Sequence, residues 1–214
     1  MATARLGIYK AVRWEGNILK RHAEIHRETK ETNIKLELTI DGKGKTDIQT
    51  GIGFLDHMLT LFAAHGFFDL KIEAEGDLFV DAHHTVEDIG ICLGLALSQA
   101  LGQFKGITRY GFYLLPMEES LAQIALDLCK RPFLAFNANF PTEKIGTFDA
   151  ELIEEFLRAF AFNGGITLHV QVIYGQNSHH MAEAIFKGLG RALDMATQFD
   201  PRLEGSTMST KGVL

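Results

Sequence analysis

Apolar and polar residues alternate in the first part of the chain, as in strands of a half-buried sheet. The alternation runs from residue 22 to about residue 48 and is clearest over residues 34–40. Residues 69–75 alternate in the same way. Between these segments, residues 54–64 have helical spacing, and a long apolar helix follows the second segment and ends at Gly102. The first half is therefore predicted to contain a sheet and two helices.

The second half of the chain repeats this order of elements. The pattern predicts strands at 113–115, 122–128, 133–136 and 167–174, and helices over 152–162 and from the 178–183 motif to about Thr197. A return to the same order after about one hundred residues indicates an internal repeat.

The two halves also align residue by residue. At a spacing of 96, His83, His84, Glu87, Gly94 and Ala96 match His179, His180, Glu183, Gly190 and Ala192. With two residues fewer in the second loop, Gly66 matches Gly164, Leu70 matches Leu168, and His57 matches Glu155. We interpret the halves as two copies of one unit, related by a pseudo-twofold axis.

The predicted fold class is α+β, with two repeated half-domains. Each would be a mostly four-stranded sheet with two helices on one face, and the helices would be sandwiched between the sheets. The predicted boundaries are an N-terminal extension over 1–22, a first half over 23–108, a second half over 109–205, and a tail over 206–214 that contributes to the substrate site.

The composition argues against several classes of function. A net charge of −6 over 214 residues argues against nucleic-acid binding, although a few basic side chains could still converge on an anion. No apolar run reaches the ~18 residues of a membrane-spanning helix, and the first twenty residues do not resemble a secretory signal. The two cysteines, Cys92 and Cys129, lie in apolar runs. We therefore expect a reducing compartment, the cytoplasm.

The chemistry is concentrated in two His-His-x-x-Glu motifs, residues 83–87 and 179–183. In a helix the first histidine and the glutamate share a face, whereas the second histidine points elsewhere. A lone histidine is usually structural, but packing gives no reason for this motif to recur. With His57 and Glu155 the chain offers eight nitrogen or oxygen ligands, enough for two open sites of four that suit Mn, Fe or Zn. Open sites indicate catalysis.

These motifs lie among others that together resemble the imidazoleglycerol-phosphate dehydratase family. The resembling segments are 27–32, 50–59, both His-His-x-x-Glu motifs, 131–133 and 209–214. The resemblance extends from about residue 23 to residue 214 and leaves the N-terminal segment unexplained.

The resemblance implies a lyase of histidine biosynthesis. It would dehydrate D-erythro-imidazoleglycerol phosphate to imidazole acetol phosphate, by way of a dimetal-bound imidazolate and a diazafulvene-like intermediate. The family further implies two Mn²⁺ per active site and a large homo-oligomer of twenty-four subunits, with sites built between subunits.

The resemblance also assigns residues. One metal would take His57, His84, His179 and Glu183, and the other would take His83, Glu87, Glu155 and His180. The implied catalytic residues are Glu31, the acid/base candidate, with His57, His84 and His180. The implied substrate-binding residues are Glu31, His57, His65, His83, His84, Glu87, Arg109, Arg131, Lys187, Ser209 and Lys211. Glu155 departs from the family pattern, because many relatives have histidine there. Lys130 also departs from it, since glycine commonly precedes the arginine, and Glu118 and Ala82 each replace an aspartate.

Two other functions remain open from the residues alone. A two-metal hydrolase would use a metal-bound hydroxide and incorporate water into its product, whereas a dehydratase releases water. A non-catalytic, metal-dependent assembly protein would hold fully ligated metal and show no turnover. Product analysis and metal analysis distinguish the dehydratase, the hydrolase and the assembly protein.

Overall fold

The structure is a computed structural model that describes residues 5–9, 13–15 and 18–212. The strands are β1 (Arg5–Tyr9), β2 (Arg13–Glu15), β3 (Ile18–Lys20), β4 (His22–Glu28), β5 (Thr32–Thr39), β6 (Thr46–Gln49), β7 (Asp69–Gly76), β8 (Tyr110–Met117), β9 (Ser120–Leu128), β10 (Phe133–Asn137), β11 (Lys144–Ile145), β12 (Phe148–Asp149) and β13 (Ile166–Tyr174). The helices are α1 (Gly53–Gly66), α2 (His83–Leu101), α3 (Leu152–Gly164) and α4 (Ser178–Thr197).

The two main sheets share one topology. The first has the strand order β1-β4-β5-β7-β6, and the second has the order β8-β9-β13-β10. Neighbouring strands are antiparallel except at one edge of each sheet, where β6 runs parallel to β7 and β10 runs parallel to β13. The predicted α+β repeat is therefore confirmed, and the halves match strand for strand.

Three additions to the repeat did not emerge from the periodicity. β1 pairs with β4 and gives the first sheet a fifth, edge strand, although it lies inside the predicted extension over 1–22. Other residues of that extension, 1–4, 10–12 and 16–17, and tail residues 213–214 lie outside the described residues. The short hairpins β2–β3 and β11–β12 were also not predicted, because two- and three-residue strands are too short to show a period.

The four helices lie between the sheets, and each packs against a helix from the other half. α1 packs against α4, and α2 packs against α3. Glycine allows the backbones to approach closely: a Cβ added at Gly190 would lie 2.4 Å from the carbonyl oxygen of Phe62. The repeat-equivalent contact joins Gly94 to the carbonyl oxygen of Phe160 at 2.5 Å. The same backbone contact therefore fixes both helix pairs.

Aromatic rings fill the space between the halves. Phe160 of α3 lies 6.4 Å, centroid to centroid, from Phe62 of α1. On the same helix, Phe156 lies 5.4 Å from Phe186 of α4. All four side chains are at most 2 % exposed. Each buried phenylalanine removes a large apolar area from water, so this cluster holds three of the four helices in one core. No helix in the described ranges is both long enough and apolar enough to cross a membrane.

The helix contact predicts that Gly190→Ala destabilises the protein. Gly→Ala in a helix interior normally stabilises by about 1 kcal/mol. Here the new methyl group would collide with backbone, so we expect the free energy of unfolding to fall by about 1–3 kcal/mol. The Tm should fall by about 2–4 °C for each kcal/mol lost. Thermal unfolding measures the change.

Gly53→Ala is the matched control for this prediction, because an added Cβ there meets nothing within 4 Å. A Tm that rises equally in both variants would show that α1 and α4 do not need the glycine contact.

Candidate metal centre and substrate site

The second His-His-x-x-Glu motif opens helix α4. Asn177 caps the helix, and its side chain accepts hydrogen bonds from the backbone N–H groups of His179 and His180 at 2.9 and 3.4 Å. His179 and Glu183 then lie one turn apart on the same face. The parallel helix α1 brings His57 to them. The local sequence thus places three ligand types at one point.

His57, His179 and Glu183 converge around one carboxylate oxygen. Oε1 of Glu183 lies 2.9 Å from Nε2 of His57 and 3.1 Å from Nε2 of His179. All three ligand atoms lie within 4.8 Å of one another. Cis ligands around an ion with bonds of about 2.1 Å are about 3 Å apart, so this geometry suits a divalent metal. The His57 side chain is 43 % exposed, which leaves a way in for an ion.

The surroundings of Glu183 keep its carboxylate charged. Its side chain is only 11 % exposed, and burial alone would raise its pKa. Hydrogen bonds from Lys187, whose Nζ lies 2.7 Å from Oε2, and from His57 and His179 outweigh burial and lower the pKa to about 2. Next to this group, burial and the positive charges of Lys187 and Arg191 lower the pKa of His65. The trio therefore centres on an ionised carboxylate.

The equivalent residues of the first half, His83, Glu87 and Glu155, do not form such a trio within the described chain. In that part of the structure, neither the Glu87 nor the Glu155 side chain makes a hydrogen bond or an ion pair. The two sets of residues differ in charge. Where the second half pairs a carboxylate with two imidazoles, the first half has two carboxylates, which repel in the absence of a cation. This ligand set stays a prediction.

His84 lies apart from the trio with which it was grouped. Its Nδ1 is 3.0 and 3.2 Å from the two carboxylate oxygens of Asp77, and this hydrogen bond raises the pKa of His84. Glu31 is the next nearest acid, with Oε2 at 4.0 Å from the same nitrogen. The ring plane is 89° from that of His83, so the two adjacent histidines serve different partners.

His180 shows the same behaviour in the second half. Its Nδ1 lies 2.7 Å from Oε2 of Glu119, and its ring is turned 84° from that of His179. The hydrogen bond with Glu119 raises the pKa of His180. Glu118 is farther away, at 4.0 Å. In each half, therefore, the second histidine of the pair is held by a carboxylate outside the motif.

A buried clamp holds Glu31 next to His84. The guanidinium of Arg27 lies 2.8 Å from the Asp88 carboxylate, and the Thr32 hydroxyl donates to the same group at 2.5 Å. Because Arg27 and Thr32 flank the turn that carries Glu31, Asp88 ties that turn to helix α2. Segment 27–32 thus serves to position an acid near a metal-ligand candidate.

Two of the predicted substrate-binding cations, Arg109 and Arg131, form a separate group around Asp127. Arg109 donates to both oxygens of this carboxylate, at 2.6 and 2.9 Å, while Arg131 lies 3.8 Å away. Arg109 also donates to the carbonyl oxygen of Met208, which brings the tail to the same place. In that tail, Oγ of Ser209 accepts from the backbone N–H of Lys211 at 3.2 Å.

This cation group lies far from the metal trio within one chain. The backbone N–H of Arg109 donates to the carbonyl of Ala196, near the end of α4, whereas Glu183 is near its start. At 1.5 Å per residue the two places are roughly 20 Å apart. A small phosphate ester cannot bridge that distance, so one chain does not gather the predicted site.

Comparison with known proteins agrees with these residues. The model of the imidazoleglycerol-phosphate dehydratase family matches residues 50–193. The chain belongs to the imidazoleglycerol-phosphate dehydratase family. It is 58 % identical to the dehydratase of Acetivibrio thermocellus over 92 % of this chain and all of that one. It is 60 % identical to that of Bacillus licheniformis over 91 % of this chain and all of the relative.

Solved structures of imidazoleglycerol-phosphate dehydratases share the fold. The Staphylococcus aureus enzyme has a TM-score of 0.74 at 45 % identity, over 78 % of this chain and 95 % of that one. The enzyme of Pyrococcus furiosus in complex with (S)-C348 has a TM-score of 0.76 at 39 % identity, over 88 % and 99 %.

Sequence reasoning missed four carboxylates that contact the candidate site residues or the segments that carry them, which are Asp77, Asp88, Glu119 and Asp127. A signal was present for Asp88. It occupies a position on the apolar face of α2, where an unpaired carboxylate would be costly and a buried cation is expected. Asp77 and Glu119 lie in loops, and their partners are fixed only by the tertiary fold.

Charge repulsion at the first-half ligand set predicts how Glu155 variants behave. Glu155→Gln should weaken binding at one metal of the pair, because an amide is a poorer ligand than a carboxylate. Glu155→His should largely preserve that metal, since imidazole suits the same ion and removes the repulsion from Glu87. Metal analysis of protein dialysed against limiting Mn²⁺ counts the ions per chain.

Glu154→Gln provides the control for Glu155. Its carboxylate pairs with Arg158 on the outer side of the same helix. If Glu155→Gln and Glu154→Gln retain the same metal content, Glu155 is not a ligand.

Proposed function

We propose that this chain dehydrates imidazoleglycerol phosphate to imidazole acetol phosphate in histidine biosynthesis, at two-metal sites shared between copies of the chain. Family membership supports the reaction and its class, a lyase, and a dependence on metal. The observation that carries the shared site is the separation of its parts. The metal trio, His84 and the cation group around Asp127 occupy different places in one chain.

The repeat suggests how two copies complete each other. His57, His179 and Glu183 of one copy would receive His84 from a neighbour, as the family's ligand set implies. In return, His180 of the first copy would complete the neighbour's set of His83, Glu87 and Glu155. The N-terminal ends of α4 and α2 would then face each other across the interface.

The loop before His84 supports such an interface. It presents three apolar side chains to solvent, Leu78, Phe79 and Val80, and Phe79 is 91 % exposed. Exposed apolar groups of this kind mark contact surfaces. Because the loop also contains Asp77, the partner of His84, docking it on a neighbour would deliver that histidine as well. This arrangement supports a large homo-oligomer, for which the family implies twenty-four subunits.

The donor set fits a first-row divalent ion. It consists of imidazole nitrogen and carboxylate oxygen without thiolate, since Cys92 and Cys129 are buried away from it. We propose Mn²⁺, two ions per site. When bound, the two ions would hold the ring nitrogens of the substrate and stabilise negative charge on the imidazole. The buried free cysteines also support the predicted cytoplasmic location.

The chain's own residues then move the proton and hold the phosphate. Glu31 is exposed and lies 4.0 Å from Nδ1 of His84, so it lies beside a proposed metal ligand and is our candidate for moving the carbon-bound proton of the substrate's side chain. Around the phosphate we place Arg109, Arg131, Ser209 and Lys211, while Lys187 and His65 lie beside the metal trio. Asp127 holds the Arg109 guanidinium in a fixed plane, which orients the N–H groups that this contact leaves over.

Metal removal tests the proposal at two levels. Chelation should abolish turnover of imidazoleglycerol phosphate, and Mn²⁺ should restore it. Because the ligands are shared, the metal should also drive assembly by mass action. Light scattering should show a small oligomer without metal and a much larger particle with it. Full turnover in metal-free protein would contradict the metal dependence. An equal particle mass with and without metal would contradict the link between metal and assembly.

Complementation tests whether the site is shared. His84→Asn and His179→Asn should each be inactive, because each removes a metal ligand. If the site pairs α4 of one copy with α2 of another, co-expressed variants will form some sites with both native histidines. Random mixing of two variants in a symmetric oligomer gives about one such site in four.

The control for complementation is a mixture of His57→Asn with His179→Asn. Both residues belong to the same trio of one copy, so this mixture should stay inactive. Activity in neither mixture, with both proteins correctly assembled, would place all the ligands of a site in one chain.

A further inference from the structure

Each half of the chain contains one histidine whose Nδ1 is hydrogen-bonded to a carboxylate that lies outside the repeated motif. In the first half the pair is His84 and Asp77, at 3.0 Å. In the second half it is His180 and Glu119, at 2.7 Å. These are the second histidines of the two His-His pairs, and the ring of each is turned away from that of the first histidine of its pair.

The two carboxylates come from different parts of the repeat. Asp77 follows β7, and the two repeat offsets of 96 and 98 place Ile173 and Gly175 opposite it. Glu119 lies in the turn between β8 and β9. The matching turn of the first half, between β4 and β5, carries Glu31, which stays 4.0 Å from His84. Two unrelated positions therefore supply the same contact, which descent from one ancestral unit does not explain.

Neighbouring backbone holds both acidic residues in place, through the main chain of Asp77 and through the carboxylate of Glu119. The backbone N–H of Asp77 donates to the carbonyl of Glu31 at 3.0 Å, and the backbone N–H of Val80 donates to the carbonyl of Asp77 at 2.8 Å. Glu119 accepts from the backbone N–H groups of Asn177 and Gln176 at 2.9 and 3.3 Å, immediately before α4. The orientation of each histidine is thus set before any ion binds.

A carboxylate on Nδ1 has a defined effect on the other ring nitrogen. It holds the proton on Nδ1, which leaves the lone pair of Nε2 free, and it fixes the direction in which that lone pair points. We propose that Asp77 and Glu119 are positioning residues that present Nε2 of His84 and of His180 to a metal ion shared with a neighbouring copy. The inference rests on the proposed two-metal function and adds the groups that orient two of its ligands.

One rival assignment makes the second group an ion site in its own right. Ligand atoms of Glu118, Glu119 and His180 lie within 4.8 Å of one another. In that case Nδ1 would bind the ion and Glu119 would be a ligand. The hydrogen bonds favour positioning, because the backbone N–H groups of Gln176 and Asn177 already occupy Oε1 of Glu119. The two assignments differ in what an amide replacement does.

The test uses paired variants of the full-length protein. Asp77→Ala and Glu119→Ala remove the acceptor, while Asp77→Asn and Glu119→Gln keep an oxygen that can accept from Nδ1–H. The matched controls are Glu75→Gln, on the strand before Asp77, and Glu118→Gln, next to Glu119. Two quantities are measured: the Kd for Mn²⁺, from the electron paramagnetic resonance of free Mn²⁺, and the histidine tautomers in metal-free protein, from long-range ¹H–¹⁵N NMR.

We expect the alanine variants to bind Mn²⁺ about 10–100-fold more weakly, and the amide variants to recover most of that loss. In the parent, His84 and His180 should carry the proton on Nδ1, and each alanine variant should shift only its own histidine. The amide variants are nearly isosteric, so they answer the question even if an alanine variant fails to fold.

Three results would overturn the inference. One is alanine variants that match the controls in both affinity and tautomer. Another is Nε2-protonated His84 and His180 in the parent. The third is Glu119→Gln as damaging as Glu119→Ala, which would make Glu119 a ligand. If the parent itself binds no Mn²⁺ while the tautomers are as expected, the proposed function fails and the orientation by Asp77 and Glu119 stands.

Discussion

Close backbone contact between parallel helices is the constraint on which this site depends. Because Gly190 rests on the carbonyl of Phe62, α1 and α4 lie side by side in a fixed register. His57 lies about one turn before that contact on α1, and Glu183 about two turns before it on α4, so the register carries them together. A larger residue at Gly190 would separate the helices and move two ligands apart. The geometry of the trio therefore follows from packing in the core, well away from the ligands.

Much of the fold was predictable because the sequence contains the same unit twice. The recurrence of His-His-x-x-Glu at a spacing of 96 predicted both the repeat and the ligands, and it aligned Glu155 with His57. The fold confirms the repeat, but of the two equivalent ligand sets only that of His57, His179 and Glu183 converges within the described chain. Asp77 and Glu119 do not recur, and each meets its histidine through a loop whose path depends on the whole fold. A periodic pattern contains no information about such contacts, which explains why the orienting carboxylates were missed.

Equal backbone geometry does not give the two halves equal electrostatics. In the second half Glu183 draws two imidazoles and Lys187 around it, so the ligands converge without an ion. In the first half the matching contact would bring Glu155 toward Glu87, and like charges keep them apart. An ion there must overcome that repulsion, and it gains more Coulomb attraction once bound. The two proposed metal sites are therefore expected to differ in affinity even though the folds that build them are the same.

That inequality bears on assembly. In the proposed arrangement, the preformed trio would hold an ion with one chain's ligands and then recruit His84 of a neighbour, so the second-half site would favour association from a loaded subunit. The first-half set would gain its geometry only when an ion and His180 of the other copy are both present, which would couple filling of this site to the interface itself. Binding energy spent in drawing Glu87 and Glu155 together would thus be recovered only in the assembled state. The less ordered site, rather than the preformed one, would then make assembly respond steeply to metal.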